Sequence, residues 1–164
     1  MTFKIREVDH GFKKLVASLK TLKQKDSYVK AGVLGSKATQ PHPGQMDNVT
    51  LALIHEFGTR NGHIPARPFI RGTFEEFKPS YIETLTVLLG GVYKGKMTIP
   101  RALGLLGLKM AADMKKTVTQ GDILAPNADS TIKAKGSSRP LVDTGQLVRS
   151  VSHEVVIKGG PDNG

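Results

Sequence analysis

Three long stretches that show neither helical nor strand periodicity are what most constrains the fold of this 164-residue chain. They cover residues 35–48, 58–68 and 120–142, which together make up about three-tenths of the sequence. Ordering so much irregular backbone costs conformational entropy that the core of a small enzyme rarely offsets. We therefore expect these loops to become ordered against partner subunits, with ordinary surface loops as the alternative.

Hydrophobic periodicity between the loops predicts the regular elements. It favours helices over residues 9–25, 48–57, 69–89 and 99–119. It favours strands over residues 27–34 and 148–157, and a third strand is a candidate over residues 2–8. Because helices and strands are segregated rather than alternating, the pattern predicts an α+β fold. We expect residues 1–158 to form a single domain and residues 159–164 to form a flexible tail.

Local signals place the ends of these elements. Asn48 is positioned to cap the second helix, whose apolar face is expected to hold Leu51, Ile54 and Phe57. Pro79 is expected to kink or split the third helix, because proline lacks the N–H of a helical residue. The glycines that follow this helix predict a turn before the fourth one begins at residue 99.

The positive charge of the chain favours anionic partners but does not indicate which kind of anionic partner it binds. Lys and Arg total 24 against 14 Asp and Glu, so the net charge is +10. Such a charge attracts nucleic acid, anionic membrane or acidic proteins. The excess is spread along the chain, and the sequence has no Trp and few aromatic residues, which argues against a base-stacking platform. No apolar run approaches the roughly 18 residues of a membrane span, so we expect no membrane partner.

Matches to enzymatic motifs are weak. The run from Gly90 to Lys96 (GGVYKGK) has the spacing of a phosphate-binding loop, but Met97 replaces the Ser or Thr that would hold magnesium. We interpret it as a turn that ends a helix. The GLLG run from Gly104 to Gly107 resembles an RNA-binding clamp, yet it lies inside a predicted helix, where glycines favour close packing.

The titratable residues form no recognisable catalytic or metal-binding set. The chain has no cysteine, and none of its five histidines pairs with another at the spacing of a metal site. The S-x-x-K run at residues 130–133 lacks its companion motifs. We therefore predict that the protein is not an enzyme and has no catalytic, cofactor-binding or metal site, and no cofactor.

Two segments read together resemble a known family. The first is LALIHEFGT (residues 51–59) followed by IPARPFI (residues 64–70), and the second is PLVDTGQL (residues 140–147) followed by Ser150 and Val151. In order and spacing they resemble the neck or tail-completion proteins of tailed bacteriophages, also called virion morphogenesis proteins. The resemblance extends from about residue 31 to residue 156.

The resemblance implies a structural virion protein with a small, twisted, mainly antiparallel sheet packed by helices and with long extended loops. Such proteins form homo-oligomeric rings, commonly of six copies, at the head–tail junction. They are assembled in the host cytoplasm and join head-closure or connector proteins to the tail tube or its terminator, near the genomic DNA of the channel. Two alternatives remain, a tail-terminator ring that caps the tube and a small basic nucleic-acid-binding module.

The motif residues are expected to have structural roles first. Phe57 and Phe69 are expected to close the core, Gly58 suits a helix end, and Arg67 is a candidate ion-pair partner of Glu56. The motif positions are His55, Glu56, Phe57, Gly58, Pro65, Ala66, Arg67, Pro68, Phe69, Asp143, Thr144 and Gly145. Basic residues are the candidate partner contacts, namely Lys13, Lys14, Lys20, Lys23, Lys37, Arg60, Lys133, Lys135 and Arg139.

Overall fold

The computed structural model describes Val16, which is helical, and residues 27–36, 38–39, 46–120 and 145–157. In chain order the elements of this part are β1 (Tyr28–Val33), α1 (Asn48–Phe57), α2 (Phe69–Tyr93), α3 (Ile99–Gln120), α4 (Gln146–Ser150) and β2 (Val151–Val156). Helices with a small antiparallel sheet confirm the predicted α+β class. The predicted strand over residues 2–8, the rest of the first helix, residues 121–142 and the predicted tail at 159–164 lie outside the described residues.

The sheet consists of β1 and β2, which pair antiparallel from Tyr28 opposite Val156 to Val33 opposite Val151. Two strands alone are marginally stable in water, so the sheet depends on the helix that packs on it. That helix is α3, which contacts both strands. Gly107 faces them so closely that a Cβ at this position would lie 2.6 Å from Val29 Cγ2 and 2.5 Å from His153 Cδ2. The expectation that the GLLG run serves close packing is therefore confirmed.

The helices α2 and α3 form a hairpin that carries most of the core. Their buried faces are tied by a hydrogen bond between the hydroxyls of Thr73 and Thr117, at 2.8 Å. Tyr81 on α2 lies under the amine of Lys109 on α3, and burial raises the pKa of its hydroxyl. The main buried cluster is made of residues from every helix and from β2: Ala52, Phe69, Ala111, Met114, Val118, Leu147 and Val151.

Helix α2 is longer than the sequence predicts. Pro79 does not split it, and the helix continues through Gly90 and Gly91 to Tyr93. Pro79 lies on the exposed side, while Tyr81 and Val92 are buried against the rest of the domain. Their packing offsets the hydrogen bond that proline cannot donate.

The GGVYKGK run is the end of this helix, as interpreted from the sequence. The amides of Lys94 and Lys96 donate to the carbonyls of Gly90 and Gly91, and Gly95 adopts a positive φ of 66°. Amides engaged in this way do not point into a phosphate cradle. Among the residues that the structure describes, no helix combines the length and the apolar character needed to cross a bilayer.

Two predicted boundaries were wrong. The cap of α1 is Asp47, whose Oδ1 accepts from the Thr50 amide at 2.6 Å, whereas Asn48 is buried inside the first turn. Residues 148–150, predicted as the start of a strand, form the end of α4 instead. In this short helix Leu147 and Ser150 are buried, so helical spacing serves the core better here than alternation does.

Candidate functional site

The buried side of α1 differs from the predicted one. Ala52 and Glu56 are buried, whereas Leu51 and Ile54 are half-buried and Phe57 is exposed. The buried residues of α1 are therefore spaced one helical turn apart, as expected, but they lie on a different face from the predicted one, and this face includes a carboxylate. A charged group is rarely placed in a core without partners, so the surroundings of Glu56 define the site.

The carboxylate of Glu56 caps the next helix. Its Oε2 accepts from the Ile70 amide and its Oε1 from the Arg71 amide, both at 3.0 Å. These are amides of the first turn of α2, which begins after Pro68 with no side-chain cap of its own. Hydrogen bonds to a charged acceptor and the positive end of the helix dipole both stabilise this arrangement.

Gly58 makes the reversal between the two helices possible. It ends α1 with a φ of 74°, and its amide donates to the Ile54 carbonyl at 2.7 Å. A Cβ at this position would lie 2.8 Å from the Ile64 carbonyl oxygen and 2.9 Å from the Ala66 nitrogen. The expected glycine helix end is confirmed, and the close approach of the returning chain adds a second reason for glycine.

The loop of residues 58–68 lacks regular structure, as predicted, but it is closed by its own hydrogen bonds. The amide of Thr59 donates to the Ile64 carbonyl at 3.0 Å, and the Ile64 amide donates to Thr59 Oγ1 at 2.9 Å. The Arg67 amide then donates to the His55 carbonyl at 2.6 Å. The HEFGT and IPARPF runs are therefore two sides of one folded turn.

The aromatic residues of this turn have opposite environments. Phe69 is fully buried, as expected, whereas Phe57 is 63% exposed, so its predicted role in closing the core was wrong. The guanidinium of Arg71 lies 5.4 Å from the centre of the Phe57 ring, which suits a cation–π contact. Leu53, one turn earlier, is also exposed. We call Leu53, Phe57 and Arg71 the α1 patch.

The chain around Arg67 lies against the end of α1, where the Arg67 amide bonds to the His55 carbonyl. Arg67 is buried, and burial lowers the pKa of its guanidinium, which stays protonated at neutral pH. Arg71 Nε lies 3.8 Å from Glu56 Oε1. Pro65 and Ala66 are exposed and Pro68 is half-buried.

The second segment of the resemblance packs against the first. Gly145 has a φ of 70° and precedes α4, which contacts α1. Leu147 belongs to the same buried cluster as Ala52 and Phe69, and the Ser150 hydroxyl donates to the Leu147 carbonyl at 2.7 Å. Asp143 and Thr144 lie outside the described residues.

Of the candidate partner contacts, the structure describes Arg60, which is exposed at the tip of the turn. The other eight lie outside the described residues, namely Lys13, Lys14, Lys20, Lys23, Lys37, Lys133, Lys135 and Arg139.

A second surface was missed by sequence reasoning. Lys115, Arg149 and His153 come from α3, α4 and β2 and line one groove, which we call the cationic groove. No spacing in the sequence connects these three residues, so only the packing of their elements brings them together. Within the described ranges, no group of three or more His, Asp or Glu residues could hold a metal ion.

No protein-family model, curated protein sequence or solved structure matches this chain significantly.

Proposed function

We propose that this chain is a structural virion protein of a tailed bacteriophage, which forms a homo-oligomeric ring at the head–tail junction, completes the tail and joins it to the head. The observation that carries the proposal is the packing of the two segments on which the resemblance depends. Ala52 and Phe69 come from the first segment and Leu147 from the second, and all three are buried together. Segments distant in the chain thus build one unit.

Exposed apolar side chains support a role in assembly. Besides the α1 patch, Ile82, Val87 and Tyr93 are largely exposed along α2. Leu53 and Phe57 of the α1 patch lie one helical turn apart, and adjacent exposed apolar side chains of this kind mark contact sites for other proteins. Aromatic and Arg side chains, as in the α1 patch, are those that most often dominate such contacts.

The charge of the chain supports contact with acidic partner surfaces. A net charge of +10 raises the rate of encounter with such surfaces and helps to fix orientation. In this role the ring contacts head-closure or connector proteins on one side and the tail tube or its terminator on the other. Repetition around a ring multiplies contacts that are individually weak.

Loss of the gene in its phage tests the joining role. We expect electron micrographs of the lysate to show filled heads beside unattached tails of normal length, because a protein that joins head to tail is needed only for that joining. Overlong tail tubes would instead indicate a tail-terminator ring, and intact infectious particles would contradict both roles.

A titration of the purified protein with duplex DNA tests the nucleic-acid-binding alternative. For a ring protein with scattered charge we expect weak binding that gains little as salt is lowered. Tight binding that falls by about 10³-fold or more between 50 and 200 mM salt would favour a basic nucleic-acid-binding module.

A further inference from the structure

The end of the hairpin that α2 and α3 form is strongly basic. Lys94 and Lys96 lie in the connection between the two helices and Arg101 lies in the first turn of α3, and all three are exposed. None of them forms an ion pair with another described residue. The sequence has no Asp or Glu from residue 84 to residue 112. This end of the hairpin therefore favours contact with an anionic surface.

An apolar strip on α2 leads to this basic end. Ile82 is 60% exposed and Tyr93 is 69% exposed, and Leu89 between them is half-buried. The three residues are spaced by seven and four positions, so they lie on one side of the helix. The side that packs on α3 carries Tyr81 and Val92, which are buried. The strip therefore faces away from the core of its own subunit.

Gly90 lies on the exposed side of α2, three residues before Tyr93 and four before Lys94. Glycine inside a helix is less favourable than alanine. An added Cβ at Gly90 would have no described atom within 4 Å, whereas one at Gly91 would lie 3.0 Å from Met97 Cε. Packing within the subunit explains the second glycine but not the first, which the close approach of a partner would explain. We define the hairpin tip as Leu89, Gly90, Tyr93, Lys94, Lys96 and Arg101.

The hairpin tip suits a protein surface better than a nucleic acid. A phosphate backbone would pair with the cations but would leave the apolar strip uncovered. A protein surface with apolar side chains bordered by carboxylates would cover the strip and pair with Lys94 and Lys96. Aromatic side chains such as Tyr93 are enriched at the centres of such contacts. The tip has no carboxylate of its own, so a second copy could not supply the opposite charge through the same surface.

We propose that the hairpin tip is the surface with which each copy in the ring binds an acidic virion protein. Gly90 and Tyr93 contact an apolar area of that partner, and carboxylates at the border of this area pair with Lys94 and Lys96. The inference rests on the proposed joining role, for which it names one contact surface and the chemistry of the partner.

Restoration of joining in vitro tests this contact. A lysate of the phage that lacks the gene supplies heads and tails, purified protein is added, and infectious particles are counted. Gly90→Leu places a side chain in the proposed contact, and Lys94→Glu combined with Lys96→Glu reverses its charge. We expect each variant to give at least about tenfold fewer particles than the wild type, because a clash or like charges oppose binding.

Matched controls carry equivalent changes outside the hairpin tip. Ala112→Leu enlarges an exposed side chain of α3, and Lys78→Glu combined with Lys116→Glu reverses two exposed charges; both are expected to restore joining as the wild type does. Because leucine favours a helix more than glycine does, Gly90→Leu should melt no lower than the wild type in circular dichroism. Sedimentation velocity should show the same self-assembly for the wild type and every variant.

Salt dependence tests the charged part of the contact. The rate of joining by the wild type should fall as salt rises, because screening weakens the attraction between opposite charges. Lys94→Gln combined with Lys96→Gln removes charge without adding repulsion, so this variant should join more slowly at low salt and respond less to added salt. An equal response of the two proteins to salt would overturn the pairing with carboxylates.

The outcomes separate this inference from the proposed function. Wild-type protein that restores no particles would contradict the joining role, and the inference with it. Full activity of both Gly90→Leu and the charge-reversed variant would overturn the hairpin tip contact alone. Loss of self-assembly in these variants would assign the tip to a contact between copies and overturn the proposal. Loss of duplex DNA binding by the charge-reversed variant, with normal joining by Gly90→Leu, would assign the tip to nucleic acid and overturn it as well.

Discussion

Glu56 and Arg71 are joined twice. The main-chain amide of Arg71 donates to Glu56 Oε1 at 3.0 Å, and the Arg71 side-chain Nε lies 3.8 Å from the same oxygen. The last turn of α1 thereby provides the cap of α2, and the side chain that neutralises this cap also covers the ring of Phe57. The start of the long helix and the exposed α1 patch consequently depend on one buried carboxylate.

Removing this carboxylate is expected to destabilise the fold. Glu56→Ala leaves the Ile70 and Arg71 amides without their acceptor, so we expect the free energy of unfolding to fall by about 2–4 kcal/mol. Glu56→Gln keeps an acceptor oxygen but not the charge, and we expect a loss of about 1–2 kcal/mol. Urea denaturation measures both values.

The exposed Glu83 of α2 provides the control for these variants. Glu83→Ala is expected to change the free energy of unfolding by no more than about 0.5 kcal/mol. If Glu56→Ala costs no more than this control, the capping role of Glu56 is refuted.

Gly58 and Gly62 are expected to lose different amounts of stability when they are replaced by alanine. Both have a φ of 74°, but only at Gly58 would a Cβ meet other atoms, the nearest 2.8 Å away. We expect Gly62→Ala to cost about 1–2 kcal/mol through its φ alone. Gly58→Ala should cost about 1–3 kcal/mol more, because the ψ of −178° at Gly58 lies outside the left-handed region that alanine can adopt and because the returning chain must shift. Thermal unfolding of the two variants measures the difference, and equal losses would contradict the close approach at Gly58.

Gly104 and Gly107 are expected to respond to alanine with opposite signs. Both lie in α3, where alanine favours the helix by about 0.5–1 kcal/mol. At Gly104 the nearest atom to an added Cβ is Val155 Cγ2 at 3.9 Å, so Gly104→Ala should stabilise the protein. At Gly107 the added Cβ would overlap Val29 and His153, and we expect a net loss of about 1–2 kcal/mol. Stabilisation by both substitutions would show that the sheet moves away from α3 without cost.

Asp47 makes part of the stability depend on pH. The hydrogen bond from the Thr50 main chain, with that of the Thr50 side chain, holds the pKa of this carboxyl below its usual value of 3.8. A carboxyl with a lowered pKa in the folded state contributes stability above its unfolded pKa, and this contribution is lost as the pH falls through the folded value. The melting temperature of the wild type should therefore exceed that of Asp47→Asn by a constant amount above about pH 5.

Below about pH 4 this difference in melting temperature should shrink, because a protonated Asp47 side chain is uncharged, as the side chain of the Asn variant is at every pH. Melting curves of both proteins between about pH 2.5 and pH 7 measure it. A difference that stays constant down to the lowest pH would contradict a charge-dependent cap.

The bounds of α3 and β1 were predicted well from the pattern of apolar residues along the sequence. The stripe of apolar residues placed α3 within one residue of its observed end, and the SYVKAGVL run before Gly35 placed β1 within one residue at each end. The buried face of α1 was not predicted, because Glu56 is polar in any hydropathy pattern. Its burial is favourable only where the amides of a second helix converge on it.

Sequence alone determined the α+β class, the helical spacing of α3 and the need for glycine at the end of α1. These properties depend on local backbone geometry and on the period of apolar residues, and both are determined by residues that are near one another in the sequence. Tertiary structure alone decided that Phe57 is exposed, that Glu56 caps a neighbouring helix and that Lys115, Arg149 and His153 share one groove. These relations join residues from separate elements, and only the packing of the elements sets the distances on which hydrogen bonds and charges depend.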